Sequence, residues 1–325
     1  MAADNHNDIQ ARLEAVGAVY VSTPAINAAR DLIDQTRTER REDGGACACL
    51  ITGVSGMGKT TIFRKYEADE PKPADGTTMP VLLLSTATPF TPAAFWKGFL
   101  VKMMAPVPTG HTSVEDLITL VKVWLDRRKV ELVLLEEVNH IVDRKARDAK
   151  IPYYVTDMIK MHLLDDAKVP LVMGGIPVAA ELLRINPQLE MRSLDWIPLL
   201  PYDLKDPVSR EQFTLLLEVF EVAAGFPRSY FANDPKLCDR VHWATGGIHG
   251  KITKLMKKAT RIAAQRGADG LSSEILALAC ATGTSVHEGW FNPFLVERLP
   301  DAKLPDESRI TKLTKRKSRG EESAA

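Results

Sequence analysis

The sequence predicts an α/β fold: a mostly parallel sheet covered by helices on both faces, followed by a small, purely helical domain. Three observations carry this. Short apolar runs alternate with helix-length segments as far as Pro201, a glycine-rich stretch separates the first of those runs from a helix, and strand signals stop beyond Pro201.

Residues 1–18 are polar and weakly amphipathic, and residues 31–45 read as a charge-rich helix stopped by Gly44-Gly45. Residues 46–52 are apolar and compact, which marks a buried strand running straight into Gly53. Residues 81–84, 132–135 and 169–173 have the length and density of further buried parallel strands, and residues 196–200 make a weaker fifth. Among the helices between them, residues 114–129 are the clearest. Thr112 and Glu115 are spaced as a capping box ahead of apolar residues at helical intervals. Beyond Pro201 four helices are predicted, over 208–224, 235–245, 250–265 and 272–281. Residues 290–294 are punctuated by proline, and residues 309–319 hold six basic side chains and no acid. That composition predicts disorder in the last fifteen residues and a local, salt-screened attraction to phosphate.

A chain of 325 residues has room for one large core and a second, smaller one. With 45% hydrophobic and 26% charged residues it is not disordered as a whole. Its 42 basic and 42 acidic side chains balance, which argues against coating nucleic acid through the overall field and leaves any such site to a local patch. Cys47, Cys49, Cys238 and Cys280 lack the paired spacing of a zinc site and are too few for a disulfide scaffold, so reduced thiols are expected. No apolar run approaches the roughly 20 residues that span a bilayer, and the first thirty residues lack a cationic start followed by an apolar stretch. A cytoplasmic protein with no membrane partner is the expectation.

Gly53-Val54-Ser55-Gly56-Met57-Gly58-Lys59-Thr60 fits G-x-x-x-x-G-K-[ST], the P-loop. It follows a strand and precedes a helix, as the chemistry requires. Glycines let backbone N–H groups turn toward phosphates, and the helix N-terminus adds positive potential. These eight residues and Thr61 are therefore assigned to ATP, with Lys59 on the β and γ phosphates and Thr60 on Mg2+. The second acidic element such a site needs is supplied by Leu132-Val133-Leu134-Leu135-Glu136-Glu137. Glu136 takes the metal position usually held by aspartate and is longer by one methylene, about 1.5 Å. Glu137 is placed as the base that polarises the attacking water.

Beyond these motifs the sequence resembles the AAA+ ATPases of the TniB and TnsC transposition-regulator family. Leu50-Ile51-Thr52-Gly53 and Glu136-Glu137-Val138-Asn139-His140 look like that family's "LLIxG" and "DExHN" stretches, with Asn and His exchanged. Residues 175–179 and Asn186-Pro187-Gln188-Leu189-Glu190-Met191-Arg192 resemble its "GTxEA" and "DxQLxxRF" blocks. Thr245-Gly246-Gly247-Ile248-His249-Gly250-Lys251-Ile252 and Asn292-Pro293-Phe294 also fit, so that the likeness runs from about Tyr20 to Phe294. It departs at Glu136, at Gly174, Gly175 or Ile176 where a polar residue is expected after the fourth strand, and at Ser193 in place of Phe. These departures weigh against fast hydrolysis more than against nucleotide binding.

The resemblance implies a P-loop AAA+ core with a C-terminal helical lid. The expected boundaries are an N-terminal helical arm over 1–45, a nucleotide-binding domain over 46–204, a lid over 205–283 and an extension with a basic tail over 284–325. It implies that Arg192 is an arginine finger reaching the γ-phosphate of the next subunit, unless it is a surface arginine on a loop. Lys251 is either a second phosphate sensor or one solvated lysine among Lys254, Lys257 and Lys258. His140 and His249 are read as packing or hydrogen-bonding residues rather than ligands. The implied partners are double-stranded DNA, further copies of the chain in a ring or helical filament, a transposase and a TniQ-like target-selection protein. The implied function is an ATP-dependent DNA-binding regulator of transposition that recruits or activates a transposase, with hydrolysis controlling disassembly. Two alternatives stand beside it: a replication helicase loader or origin-binding ATPase, and a nucleotide-gated scaffold with little turnover.

Overall fold

A computed structural model gives the architecture; the residues described are 2–71, 76–86, 90–142, 150–281 and 291–300, with side chains from residue 7 onward except that of Lys150. The basic run at 309–319 and the expected disorder of the last fifteen residues lie outside them. The chain divides into two units, Pro24–Leu200 and the combination of Met1–Thr23 with Pro201–Ala325.

After helix α1 (Ala2–Gly17), the chain enters the first of these units with α2 (Pro24–Thr38), β1 (Ala48–Gly53), α3 (Lys59–Asp69), β2 (Val81–Ser85), α4 (Pro92–Lys102) and α5 (Val114–Arg127). It continues through β3 (Leu132–Glu136), α6 (Lys150–Met158) running into a π-helical stretch Ile159–Asp166, β4 (Leu171–Gly175), the short helices α7 (Glu181–Ile185) and α8 (Pro187–Glu190), and β5 (Ser193–Leu199). The five strands form one parallel sheet in the order β2-β3-β4-β1-β5. Side chains alternate across a pleated sheet, so each strand feeds two layers. Leu50, Leu82, Val133, Leu135, Leu171 and Met173 join one core with α4, α5 and the α6 region, built around Trp96, Phe99 and Leu117. Cys49, Ile51, Leu83, Leu134 and Val172, of opposite parity, are buried on the other face, where α2 and α3 bring the buried Ile33, Ile62 and Phe63. Both faces are thus covered. That is why these strands read as unbroken apolar runs.

All five predicted strands are present, with ends displaced by up to three residues, but two details of the helices differ. The helix expected over 31–45 begins earlier, at Pro24, whose fixed φ and missing N–H suit a first turn. It stops at Thr38. Residues 39–46 instead fold back in a turn closed by an Arg40–Ala46 bridge, with Gly44 at φ 74°. The cap of α5 is shifted by one residue from the expected Thr112 and Glu115. Ser113 Oγ accepts from the Asp116 N–H at 3.1 Å and donates to the Asp116 carboxylate at 2.7 Å. The backbone of Ser113 is extended and that of Val114 is already helical, which leaves Thr112 one position too early to cap.

The second unit holds α1, α9 (Pro207–Ala224), α10 (Pro235–Thr245), α11 (His249–Arg266) and α12 (Ser273–Ala281). The expected arm over 1–45 therefore divides: α2 packs on the sheet, whereas α1 packs on α9 and α11. Val16 is fully buried among Phe213, Phe220 and their neighbours. Arg12 Nη1 donates to Ala224 O and Gly225 O at 2.7 Å each, satisfying carbonyls that the C-terminus of α9 leaves free. Asn292 also anchors here, donating to Ala277 O at 2.8 Å, and Phe294 is buried in the same core.

Candidate nucleotide site

The P-loop leaves the sheet from β1, which is buried along its whole length between β4 and β5. A Cβ on Gly53 would stand 2.8 Å from Leu199 O and 3.2 Å from Met57 Cβ, so only glycine lets the loop start this close to β5. Gly56 and Gly58 both have φ of 90°, which side-chain-bearing residues rarely adopt. Gly58 is the N-cap of α3, and no side chain caps that helix, whose first turn holds no acid. Its first N–H groups are left for an anion. Met57 is buried and pins the loop, while Ser55 and Gly56 are exposed, Val54 and Thr60 are half-buried and Thr61 is exposed. Below the loop, Trp196 Nε1 donates to Thr52 Oγ1 at 2.7 Å, fixing the end of β1 to β5.

Lys59 folds back across its own loop, donating to Gly53 O at 2.7 Å and to Val54 O at 3.2 Å. Burial lowers its pKa, opposed first by Glu137 and then by Glu136. Both carboxylates therefore lie within electrostatic reach of the P-loop lysine. Glu136 ends β3 opposite Ser85, and its carbonyl accepts from Thr86 N at 3.0 Å and Thr86 Oγ1 at 2.9 Å. Glu137 sits in the left-handed region at φ 57°, ψ 33°, a conformation that costs a non-glycine residue about 1–3 kcal/mol. The turn leaves its side chain exposed, with His140 Nε2 3.9 Å from its carboxylate. Thr60 and Glu136 offer hard oxygen donors of the kind magnesium takes. Among the described residues no cluster of three or more His, Cys, Asp or Glu could hold a metal alone, so phosphate oxygens and water would have to complete such a site.

The end of β4 explains why no polar side chain follows the fourth strand. A Cβ on Gly174 would stand 2.6 Å from the Phe63 ring of α3, and one on Gly175 would stand 2.7 Å from Ala179 Cβ. Space forbids a side chain at either position.

Arg192 is not brought to the P-loop of its own chain. It precedes β5, and its carbonyl accepts from Ala48 N at the amino end of β1, roughly 16 Å along the strand from Gly53. Its guanidinium is engaged: Nε and Nη2 both donate to the Asp165 carboxylate at 3.0 Å, and Nη1 donates to Gln188 O at 3.0 Å. Arg41 holds the same carboxylate at 2.7 Å. Burial disfavours the charged form of Asp165, yet Arg192 and Arg41 outweigh it and hold the carboxyl below the usual range. Lys251 belongs to the other unit, exposed in the first turn of α11. His249, two residues before it, packs against the Phe220 ring, and burial lowers its pKa.

The family model of the bacterial TniB protein matches residues 18–199, more than half of the chain. The chain belongs to the TniB family. The TniB match ends with β5 and takes in every element of the sheet. Among solved structures, the ORC2 protein of Aeropyrum pernix, in ADPNP–ADP complexes, is 15% identical, with 85% of this chain and 73% of that one covered at a TM-score of 0.58. Cdc6p of Pyrobaculum aerophilum is 15% identical over 82% of this chain and 69% of that one, with a TM-score of 0.57. The ORC1 protein of Aeropyrum pernix, solved with DNA, is 16% identical over 79% and 64%, with a TM-score of 0.52. At such identities the likeness speaks for the fold alone, and the fold of this TniB-family chain is that of the P-loop AAA+ proteins. No curated protein matches it by sequence. No helix among the described residues is long and apolar enough to cross a membrane.

Proposed function

We propose that this TniB-family protein binds ATP with Mg2+ at residues 53–61 and hydrolyses it to control an assembly on double-stranded DNA. The observation that carries this reading is the uncapped start of α3 beside a half-buried Lys59, with Glu136 and Glu137 in electrostatic reach. The backbone donors of the loop hold the phosphates, and Lys59 exchanges its two loop carbonyls for phosphate oxygens. Thr60 and Glu136 would hold the magnesium, which when bound neutralises phosphate charge. Glu137 orients the attacking water and takes its proton.

The family membership supports a regulator that assembles as a ring or filament on DNA and recruits or activates a transposase beside a TniQ-like protein. The DNA complex of the Aeropyrum ORC1 protein, of like fold, accords with a DNA-bound state. Negative-stain imaging with duplex DNA tests it. Rings or helical filaments with ATP, absent with ADP, are the expected result, and single particles in both states would overturn it. A second reading, a nucleotide-gated scaffold with little turnover, is favoured by Glu136 and by the bare end of β4. Steady-state hydrolysis with and without DNA separates the two.

Arg192 enters this reading as a finger acting in trans, with Lys251 as a phosphate sensor from the helical unit. To reach a neighbour's phosphate, Arg192 must leave Asp165, and Arg41 remains to neutralise that carboxylate. Arg192→Ala is expected to leave nucleotide binding nearly intact while impairing ATP-dependent assembly and turnover. Mixed with a Glu137→Gln protein, it should recover part of the turnover where an intact Arg192 faces an intact Glu137. Normal DNA-stimulated turnover by Arg192→Ala alone would reduce Arg192 to a structural partner of Asp165.

A further inference from the structure

The two successive glycines that end β4 leave the sheet without a side chain beside the P-loop, and another residue fills the gap. In the sheet register Gly175 pairs with Thr52, the residue before Gly53, one strand spacing or about 4.8 Å away. The place where a side chain of residue 175 would begin lies 3.2 Å from Asn139 Oδ1. Asn139 comes from the turn after β3, two residues beyond Glu137, and reaches the end of β4, the strand next to β1.

Chemistry fixes which way its carboxamide faces. The Ile176 N–H donates to it at 3.3 Å, and only the oxygen can accept. The two amide N–H groups are therefore left over, and they find no partner among the described residues. Asn139 is half-buried at the carboxyl end of a parallel sheet, where ligands of such folds bind.

We propose that Asn139 supplies the polar group that β4 lacks: its oxygen ties the Glu137 turn to the end of β4, and its two N–H groups address the terminal phosphate of a nucleoside triphosphate. The proposal rests on the P-loop reading above. It assigns Asn139 two separable tasks, accepting from Ile176 and donating to phosphate. A donor aimed at the terminal phosphate distinguishes triphosphate from diphosphate. A turn clamp alone does not.

Asn139→Asp separates the tasks, because a carboxylate still accepts from Ile176 N–H but donates nothing and sets a negative charge beside the phosphate. The measurements are titration calorimetry of the full chain with ADP and with a non-hydrolysable ATP analogue, both with magnesium, together with kcat and thermal midpoint. Asn139→Asp and Asn139→Ala are both expected to lower the preference for the triphosphate by about ten-fold or more, the scale of lost bonds to a charged group. ADP affinity should change less than three-fold, the KM for ATP should rise with the lost triphosphate affinity while kcat falls, and Asn139→Asp should keep the wild-type thermal midpoint. If Asn139→Asp keeps both the triphosphate preference and kcat, Asn139 is only a clamp and the proposal is overturned. If Lys59→Ala, measured alongside, binds both nucleotides as the wild type does, the P-loop reading itself has failed and the Asn139 role falls with it. The triphosphate preference reads the donors even in a protein that turns over slowly.

Discussion

Lys59→Ala is expected to abolish measurable ATP binding and, with it, every nucleotide-dependent assembly. The ammonium lies across the mouth of the loop, held by Gly53 O and Val54 O, and its charge is what phosphate would gain. Charge-assisted bonds contribute about 1.5–3 kcal/mol each, so losing two lowers affinity by about 10²–10⁴-fold. The fold should persist, since the lysine sits above the core and the apolar packing beneath the loop is untouched. Calorimetric titration with ATP, paired with a thermal melt, checks both halves. Unchanged affinity would refute the P-loop assignment.

Glu137→Gln is expected to keep ATP bound while cutting turnover by about 10²–10⁴-fold, the usual contribution of a general base. The amide preserves the shape of the side chain in its left-handed turn but accepts a proton poorly. Complexes on DNA should then last longer, which their dissociation rate after dilution would show. If Glu136→Gln slowed turnover while Glu137→Gln did not, the metal and base roles would be exchanged between the two carboxylates.

The sheet was legible because strands buried on both faces carry unbroken apolar runs, and the P-loop was legible because its chemistry constrains neighbouring residues in sequence. What was not legible depends on residues far apart in the chain. Nothing near Gly174 announces that the Phe63 ring occupies its side-chain space, although a glycine pair closing a strand does signal a close approach. Arg192 reads as a free loop arginine until Asp165, 27 residues earlier, is seen to grip it in two places. Asn139 stood inside a recognised motif, but its reach to Ile176 crosses a strand and has no sequence spacing to betray it. The Ser113 cap was missed by one residue because Thr112 has the same chemistry, and only the backbone angles choose between them.

The docking of α1 onto α9 and α11 fixes an order of events during synthesis. Arg12 and its acceptors at Ala224 and Gly225 are separated by 212 and 213 residues. A ribosome adding about 5–20 residues per second needs roughly 10–40 s to travel that far. Throughout that interval Leu13 and Val16 have no helices to bury them, while the whole of Pro24–Leu200 emerges and contains its own core. The sheet unit therefore has its own core before α1 has its partners, and α1 finds its place after the sheet has formed. Until then the nascent chain carries an unburied apolar stripe on α1.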